Sequence, residues 1–264
     1  MTAGRRVEHC MGTVFSIDVR GDGVAEGALD EAIGLLHTID ATFSTYRADS
    51  VISRLDRGEL ARAELSEEVR HVLDACAWWQ TKTDGWFSAH ASGTLDPSGY
   101  VKGWAIQRVS DLLRDAGSTS HCVNGGGDLQ CFGNAGSGEP WRAGIADPRD
   151  RSRVIAVVAG ADLAVATSGT AERGQHILDP HTGRPPGEPL LSFTVSGRSV
   201  VESDVYATAG FAMGAAARDW FTGRGDVSAF AVAADGTTWS TAFHGLSDSG
   251  TSRGRRATTQ YPAS

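Results

Sequence analysis

The segment LDPSGYVKGWAIQRV, residues 95–109, places an acid and a lysine on either side of a turn. Asp96 precedes the turn, and Lys102 is predicted to open a helix. A cation at a helix start opposes the helix dipole unless an anion lies nearby, and a phosphate would remove that conflict. A lone lysine is ordinarily a solvated surface charge, but this chain has only two, Lys82 and Lys102. The segment is therefore a candidate phosphate site.

The segment HILDPHTGRPP, residues 176–186, contains a candidate base. His176 and Asp179 lie in a loop punctuated by Pro and Gly, which is expected to be rigid and accessible. A lone histidine is more often structural than catalytic. Beside a phosphate site, however, its imidazole could deprotonate a hydroxyl near neutral pH.

The segment ESDVYATAGFAMG, residues 202–214, pairs two oxygen-bearing side chains. Asp204 and Thr208 are four residues apart, so on a helix they share one face. Such a pair is most often a hydrogen bond within the helix. As ligands, the two oxygens suit one hard cation, and Mg²⁺ completed by water and phosphate fits so few protein oxygens better than Ca²⁺ does.

Mixed strands and helices must position these residues. Apolar residues at helical spacing predict helices over about 25–43, 66–83, 102–116 and 202–220, with Ser66 as a cap. Alternating or β-rich stretches predict strands at 13–20, in HCVNGGGDLQCFG, and in WRAGIADP, RVIAVVAG, LAVATS, VSAFAVAA and TTWST. Without regular strand-helix alternation, the pattern indicates an α+β fold. We expect one domain over residues 1–245 and a disordered tail over 246–264, which is rich in Ser, Gly, Thr and Arg.

Several familiar motifs are absent or imperfect. In GDGVAEG the third glycine comes one residue late for a dinucleotide-binding loop. The stretch NGGGD, residues 124–128, lacks the Lys and Ser or Thr of a Walker loop, although its backbone could approach a ligand closely. No GxSxG or SxxK motif offers a serine nucleophile.

Composition limits the partners and the compartment. A net charge of −8 argues against general nucleic-acid or anionic-membrane binding. The four cysteines form no CxxC pair, which favours reduced core thiols. No apolar segment has the length of a signal peptide or a membrane span, so the expected location is the cytoplasm.

In this order and spacing, the segments resemble the ApbE family, the FAD:protein FMN transferases. Further matching pieces are MGTVFSI, FSTYRADSVISRL, DGWFSAH, NGGGDLQCFG, WRAGIADP and VATSG. The resemblance runs from residue 11 to about 240. It implies an α+β fold of mixed and antiparallel sheets with packed helices, in which flavin lies between two intimately joined lobes.

The resemblance also implies residue roles. Lys102 would bind FAD and act in catalysis, and His176 would be the catalytic base. Gly99, through its carbonyl, would hold Mg²⁺ together with Asp204 and Thr208. The remaining flavin-contacting residues are implied to be Met11, Tyr46, Trp86, Phe87, Ser88, Asp96 and Ile177.

Two departures from the family pattern affect ligand contacts. Ser88 stands where relatives often have Asp, so a hydrogen-bonding group remains but a charge is lost. The stretch TAERGQ before His176 is short where many relatives end in Arg-Tyr-His, and Arg173 is a candidate replacement for a lost phosphate contact.

The implied function is Mg²⁺-dependent transfer of FMN from FAD to a Thr or Ser hydroxyl of an acceptor protein, with release of AMP. The acceptor would contain a sequence like D-x-x-[ST]-[GA]-[AST]. Two alternatives stay open. With water as the nucleophile, the protein would be an FAD pyrophosphatase giving FMN and AMP, and without turnover it would be a flavin-binding protein.

Overall fold

The computed structural model describes residues 4–21, 23–170, 177–187 and 189–241. The six α-helices in this part of the chain are α1 (Ala28–Phe43), α2 (Val51–Asp56), α3 (Glu67–Lys82), α4 (Ser98–Asp115), α5 (Val200–Met213) and α6 (Ala217–Phe221). The ten strands there are β1 (Gly4–Cys10), β2 (Thr13–Val19), β3 (His121–Gly125), β4 (Asp128–Phe132), β5 (Trp141–Asp147), β6 (Asp150–Gly160), β7 (Ala164–Gly169), β8 (Leu190–Gly197), β9 (Ser228–Ala233) and β10 (Thr238–Ser240). Short 3-10 turns occupy Arg62–Glu64 and Gly214–Ala216.

Eight of the strands form one antiparallel sheet in the order β1-β2-β3-β4-β7-β8-β9-β10. The other two, β5 and β6, form a separate antiparallel ribbon. Only the step from β4 to β7 leaves chain order, because the ribbon is inserted there. The α+β prediction is confirmed.

Strands away from the edges of the large sheet bury side chains on both faces, because side chains alternate along each strand. On β9, Ala229 and Ala231 join the core formed with the helices, whereas Phe230 and Val232 join a second core. That second core also contains Trp141 and other inward residues of the ribbon. The sheet therefore lies between a helical layer and the β5–β6 ribbon.

Helix positions largely follow the sequence patterns. The Ser66 hydroxyl accepts a hydrogen bond from the Val69 N–H at 3.3 Å, so the expected cap of α3 is present. Helix α1 begins three residues later than predicted, after Gly27 in a left-handed conformation. The predicted helix over 202–220 is interrupted at Gly214, whose φ of 59° is incompatible with a continuing helix.

The prediction that Lys102 opens a helix was wrong. Helix α4 begins at Ser98, directly after Pro97, and Lys102 is its fifth residue. The Asp96 carboxylate accepts a hydrogen bond from the Ser98 N–H at 2.9 Å, which stabilises the earlier start. The glycine-containing stretch between Asp96 and Lys102 is helical because Tyr100 and Val101 are buried in the core.

The remaining predictions concern the cysteines, the membrane and the tail. All four cysteines are free thiols, and three of them are buried. Among the helices that the structure describes, none combines the length and apolarity needed to cross a bilayer. The predicted disordered tail, 246–264, lies outside the described residues, and the single domain over 1–245 stays a prediction.

Candidate functional site

A cavity of about 310 Å³ lies where α4 and α5 meet the large sheet and the β5–β6 ribbon. This volume is at the lower end of the range for small-molecule sites. Its walls include the start of α4, the turn between β3 and β4, strand β7 and the end of β5. Nine of the residues that the sequence singled out line it together: Trp86, Phe87, Ser88, Asp96, Gly99, Lys102, Ile177, Asp204 and Thr208.

Helices α4 and α5 approach each other most closely at Gly103. A β-carbon on Gly103 would lie 2.9 Å from Asp204 Cβ and 3.0 Å from the Val200 carbonyl oxygen. The Gly103 N–H donates a hydrogen bond to Asp204 Oδ2 at 2.9 Å. In a regular helix that N–H would donate to the Gly99 carbonyl. The glycine thus lets the Asp204 carboxylate reach the backbone of α4 beside the carbonyl expected to bind metal.

The Lys102 ammonium lies between two buried carboxylates. It forms ion pairs with Asp128 and with Asp204, the latter at 3.1 Å from Oδ1. The Lys102 side chain is 26% exposed, whereas those of Asp128 and Asp204 are 1% and 4% exposed. The sequence argument assigned the counter-charge to a phosphate, but in the structure these two carboxylates neutralise the lysine.

Oxygen donors for a cation meet on the same wall. Asp204 and Thr208 lie on one face of α5, and a β-carbon placed on Gly99 would be 3.5 Å from Thr208 Oγ1. The described residues contain no group of three or more His, Cys, Asp or Glu side chains arranged to hold a metal. A carboxylate, a hydroxyl and a carbonyl fit Mg²⁺ only if substrate or water oxygens complete the shell.

The turn between β3 and β4 brings bare backbone to the cavity. Gly126 and Gly127 have φ values of 62° and 95° and connect the strands in two residues, a conformation that glycine adopts without strain. Both line the cavity. A β-carbon on Gly126 would lie 2.7 Å from Thr13 Oγ1, so a side chain there would clash. The close approach expected of NGGGD is therefore possible at this wall.

Aromatic residues form another wall. Phe87 is buried, and its N–H donates to the Thr83 hydroxyl at 3.0 Å, which fixes the loop after α3. Trp86 is partly buried and meets His181 edge to face, with ring centroids 4.6 Å apart. The Ser88 hydroxyl accepts a hydrogen bond from the His90 N–H at 3.1 Å. The Ser88 oxygen thus already stabilises its own loop.

Two buried titratable side chains near the cavity, the Cys76 thiol and the Tyr100 hydroxyl, have raised pKa values. Burial raises the pKa of the Cys76 thiol to about 12, and the Asp96 carboxylate adds to the shift. Burial likewise raises the pKa of Tyr100 to about 12. Neither group ionises near neutral pH, so Cys76 and Tyr100 are excluded as bases there.

Two of the other candidate residues lie away from the cavity wall, and two more lie outside the described residues. Met11 occupies the β1–β2 turn with φ 54° and packs against the helical core. Tyr46 is 85% exposed and lines a second recess, which shares Asp96 with the main cavity. His176 and Arg173 lie outside the described residues, whereas Ile177, next to His176, lines the cavity.

Sequence reasoning missed three residues at this site. Asp128 follows the glycine turn that was singled out, but it was given no role. Gly103 follows Lys102 in the KG pair, and its need for a bare α-carbon depends on helix packing. Arg151 of β6 lines the cavity, whereas Asp128 and Gly103 lie behind its wall and contact Lys102 or Asp204. The sequence offered one signal for these residues, the acid Asp128 directly after a glycine run. The positions of the others depend on strand pairing and on the crossing of the helices, which local sequence does not reveal.

Comparisons with known proteins agree with this architecture. The model of the ApbE family matches residues 11–92 and 88–231. A protein of Vibrio cholerae named FAD:protein FMN transferase is 29% identical over 222 residues, covering 76% of this chain and 60% of the relative. One of the same name from Salmonella typhimurium is 28% identical over 244 residues, covering 89% of this chain and 68% of the relative. The chain thus spans about two thirds of these relatives' length.

A solved structure shares the fold. The flavin transferase ApbE from Vibrio cholerae superposes with a TM-score of 0.79 at 22% identity. The match covers 91% of this chain and 97% of that one.

Proposed function

The chain belongs to the ApbE family, and we propose that it transfers the FMN half of FAD to a Thr or Ser hydroxyl of an acceptor protein, releasing AMP. The observation that carries the proposal is the convergence of Lys102, Asp204, Thr208 and Gly99 on one wall of the cavity. These residues offer a cation and a set of hard oxygen donors. That combination suits a pyrophosphate better than it suits an uncharged ligand.

Different walls of the cavity would contact different parts of FAD. The aromatic wall with Trp86 and Phe87 provides apolar surface for the flavin ring, whose stacking on aromatic side chains is favourable. The glycine turn at 126–127 lets backbone approach the phosphates. Lys102 would contact a phosphate oxygen and stabilise charge that develops there.

Asp204, Thr208 and the Gly99 carbonyl would hold Mg²⁺. The metal would offset the charge of the pyrophosphate as its P–O bond breaks. Because the protein contributes few oxygens, FAD itself is expected to complete the metal shell, and FAD and metal should bind cooperatively.

The transfer step requires one base, which accepts the proton of the acceptor hydroxyl. The acceptor hydroxyl oxygen forms a bond to the phosphorus of the FMN phosphate, and the bond from that phosphorus to the bridging oxygen breaks. The hydroxyl proton passes to His176, whose role is taken from the family resemblance. AMP leaves with the bridging oxygen, and FMN stays on the acceptor through a phosphoester bond.

Incubation with FAD and Mg²⁺, with and without an acceptor, tests the proposal. The acceptor is a domain containing D-x-x-[ST]-[GA]-[AST], and its matched control has Ala at the Thr or Ser position. Mass spectrometry should show the acceptor gaining the mass of FMN less water, with AMP released in equal amount and no gain on the control. Release of FMN and AMP without acceptor would instead identify a pyrophosphatase, and intact FAD in every mixture would leave a binding protein.

A further inference from the structure

Asp128 carries the more buried of the two carboxylates that pair with Lys102 behind the cavity wall. Asp128 is the first residue of β4, directly after the glycine turn, and is 1% exposed. Its Oδ1 accepts a hydrogen bond from the Thr167 N–H of β7 at 2.8 Å, and its Oδ2 contacts the Lys102 ammonium. The backbone bond fixes the carboxylate between two neighbouring strands. The anion is therefore held in place independently of the lysine.

Lys102 reaches this anion from a different layer of the fold. It projects from α4, whereas Asp128 belongs to the sheet and Asp204 to α5. A lysine ammonium has three N–H donors. One is directed to Asp204 Oδ1, and the ammonium also contacts Asp128 Oδ2 as an ion pair, which leaves donor capacity for an oxygen atom inside the cavity. A flexible lysine side chain is thereby restricted to one position on the wall.

The carboxylates of Asp128 and Asp204 differ in their other interactions. Asp204 is an expected metal ligand. A bound cation would be coordinated by the Asp204 oxygen that pairs with Lys102, and would compete with that ion pair. Asp128 is not an expected metal ligand, and its other oxygen accepts a hydrogen bond from the Thr167 N–H. It can therefore hold the ammonium after Asp204 is engaged elsewhere.

We propose that Asp128 is a positioning residue that fixes the Lys102 ammonium at the cavity wall, where the remaining N–H meets a phosphate oxygen of FAD. The proposal rests on the proposed function for the identity of the ligand. It assigns Asp128 no contact with FAD, and its influence on FAD passes through Lys102.

A double-mutant cycle on FAD binding tests this role. FAD affinity is measured from flavin fluorescence in Mg²⁺ without acceptor, for the unsubstituted protein, Asp128→Asn, Lys102→Met and the double variant. Asn keeps an oxygen for the Thr167 N–H. We expect Asp128→Asn to weaken FAD binding about tenfold, the scale of one charge-assisted contact. In the Lys102→Met background, the same change should weaken it less than about twofold.

The sign of the effect separates positioning from simple charge. Asp128 is negative and FAD is an anion, so a carboxylate acting only through its charge would repel FAD, and Asp128→Asn would tighten binding. Tighter or unchanged binding by Asp128→Asn would overturn the proposal. Equal weakening in both backgrounds would also overturn it, since Asp128 would then act without Lys102.

A matched control and a fallback complete the test. Asp162 Oδ1 also caps a backbone N–H, that of Gly133 at 2.8 Å, but among the described residues the carboxylates that pair with Lys102 are those of Asp128 and Asp204, so Asp162→Asn should leave FAD affinity unchanged. If Asp128→Asn alone does not fold, Lys102→Met and the double variant still decide the matter, because a neutral pair can replace a buried ion pair. Equal affinity of those two supports the proposal, and weaker binding by the double variant overturns it. Failure of the unsubstituted protein to bind FAD would overturn the proposed function instead.

The small number of lysines permits a spectroscopic check. Protein labelled with ¹³C at lysine Cε should give two side-chain signals, from Lys82 and Lys102, and Lys82→Arg assigns them. Addition of FAD should shift the Lys102 signal in the unsubstituted protein and shift it much less in Asp128→Asn. An equal shift in both proteins would contradict the positioning role.

Discussion

Gly103 donates its backbone N–H to the Asp204 carboxylate at 2.9 Å, which joins α4 to α5 at the wall of the cavity. The contact requires a residue without a side chain, since the two helices leave no room for a β-carbon between them. A position that sequence alone marks only as a helix-weakening glycine therefore determines the geometry of the candidate metal site.

Replacing this glycine should separate the helices. We expect Gly103→Ala to destabilise the protein by about 1–3 kcal/mol, because the new methyl group overlaps Asp204 and Val200. FAD affinity should fall with it. Urea unfolding and FAD titration measure the two effects. The control is Gly34→Ala in α1, where nothing lies within 4 Å of the new β-carbon, and which should stabilise by about 0.5–1 kcal/mol. Equal stability of Gly103→Ala and the native protein would contradict the packing argument.

Asp204 should control the dependence on divalent metal. Asp204→Asn keeps an oxygen for the Gly103 N–H but removes the charge that a cation needs. We expect the rate of FMN transfer to fall more than about a hundredfold. Mutating a residue that only hydrogen-bonds to a metal ligand already lowers metal affinity or activity by about 10- to 100-fold, and Asp204 is an expected ligand itself. Calorimetric titration with Mg²⁺ in the presence of FAD should show the lost binding.

The control for Asp204 lies on the same helix. Glu202 is a partly buried carboxylate of α5 that does not line the cavity, and burial raises its pKa. Glu202→Gln should keep both transfer and Mg²⁺ binding. Full metal binding by Asp204→Asn would remove Asp204 from the proposed ligand set.

His121 should make stability depend on pH. It is fully buried, with its ring nitrogens 2.7 and 2.9 Å from the Ser110 and Ser118 hydroxyls. Burial lowers the pKa of His121 to about 4, and the Arg114 guanidinium adds to the effect. The unfolded chain takes up this proton near pH 6.5, before the folded protein does. The contribution to stability is thus complete above about pH 6.5 and is lost as the pH falls toward about 4, by about 3 kcal/mol.

Urea unfolding at several pH values between 4 and 8 checks this expectation. His121→Gln removes the titrating group, so its free energy of unfolding should fall less steeply below about pH 6.5 than that of the native protein. His71→Gln, at an exposed position of α3, should retain the native slope. A native slope in His121→Gln would show that other groups cause the acid sensitivity.

Tyr46 tests how far the flavin extends. Family resemblance predicts that Tyr46 contacts the flavin, and the structure places Tyr46 in the second recess, which shares Asp96 with the main cavity. We expect Tyr46→Ala to weaken FAD binding about three- to tenfold by loss of stacking, and Tyr46→Phe to retain affinity. Since Tyr46 is 85% exposed, the melting temperature should not change. Trp78→Ala, at another exposed aromatic outside both recesses, is the control, and equal affinities of all these proteins would place the flavin within the main cavity.

Local sequence patterns predicted most elements but not their ends. Ser66 marks the start of α3 because its hydroxyl caps the helix without help from other layers. The start of α4 was misplaced because the burial of Tyr100 and Val101 overrides the local effect of Gly99, and that burial depends on neighbouring layers. Strand β8 was not predicted, although it lies between β7 and β9 in the sheet.

The sequence by itself determined which chemical groups are present and, through spacing, which of them share an element. Asp204 and Thr208 are four residues apart, so any helix there places both on one face. Only the tertiary structure decided which elements meet. Antiparallel pairing places Asp128 beside Thr167, and the crossing of α4 over α5 brings Lys102 between Asp128 and Asp204. These contacts join residues far apart in the chain, and long-range packing, which no local pattern encodes, brings them together.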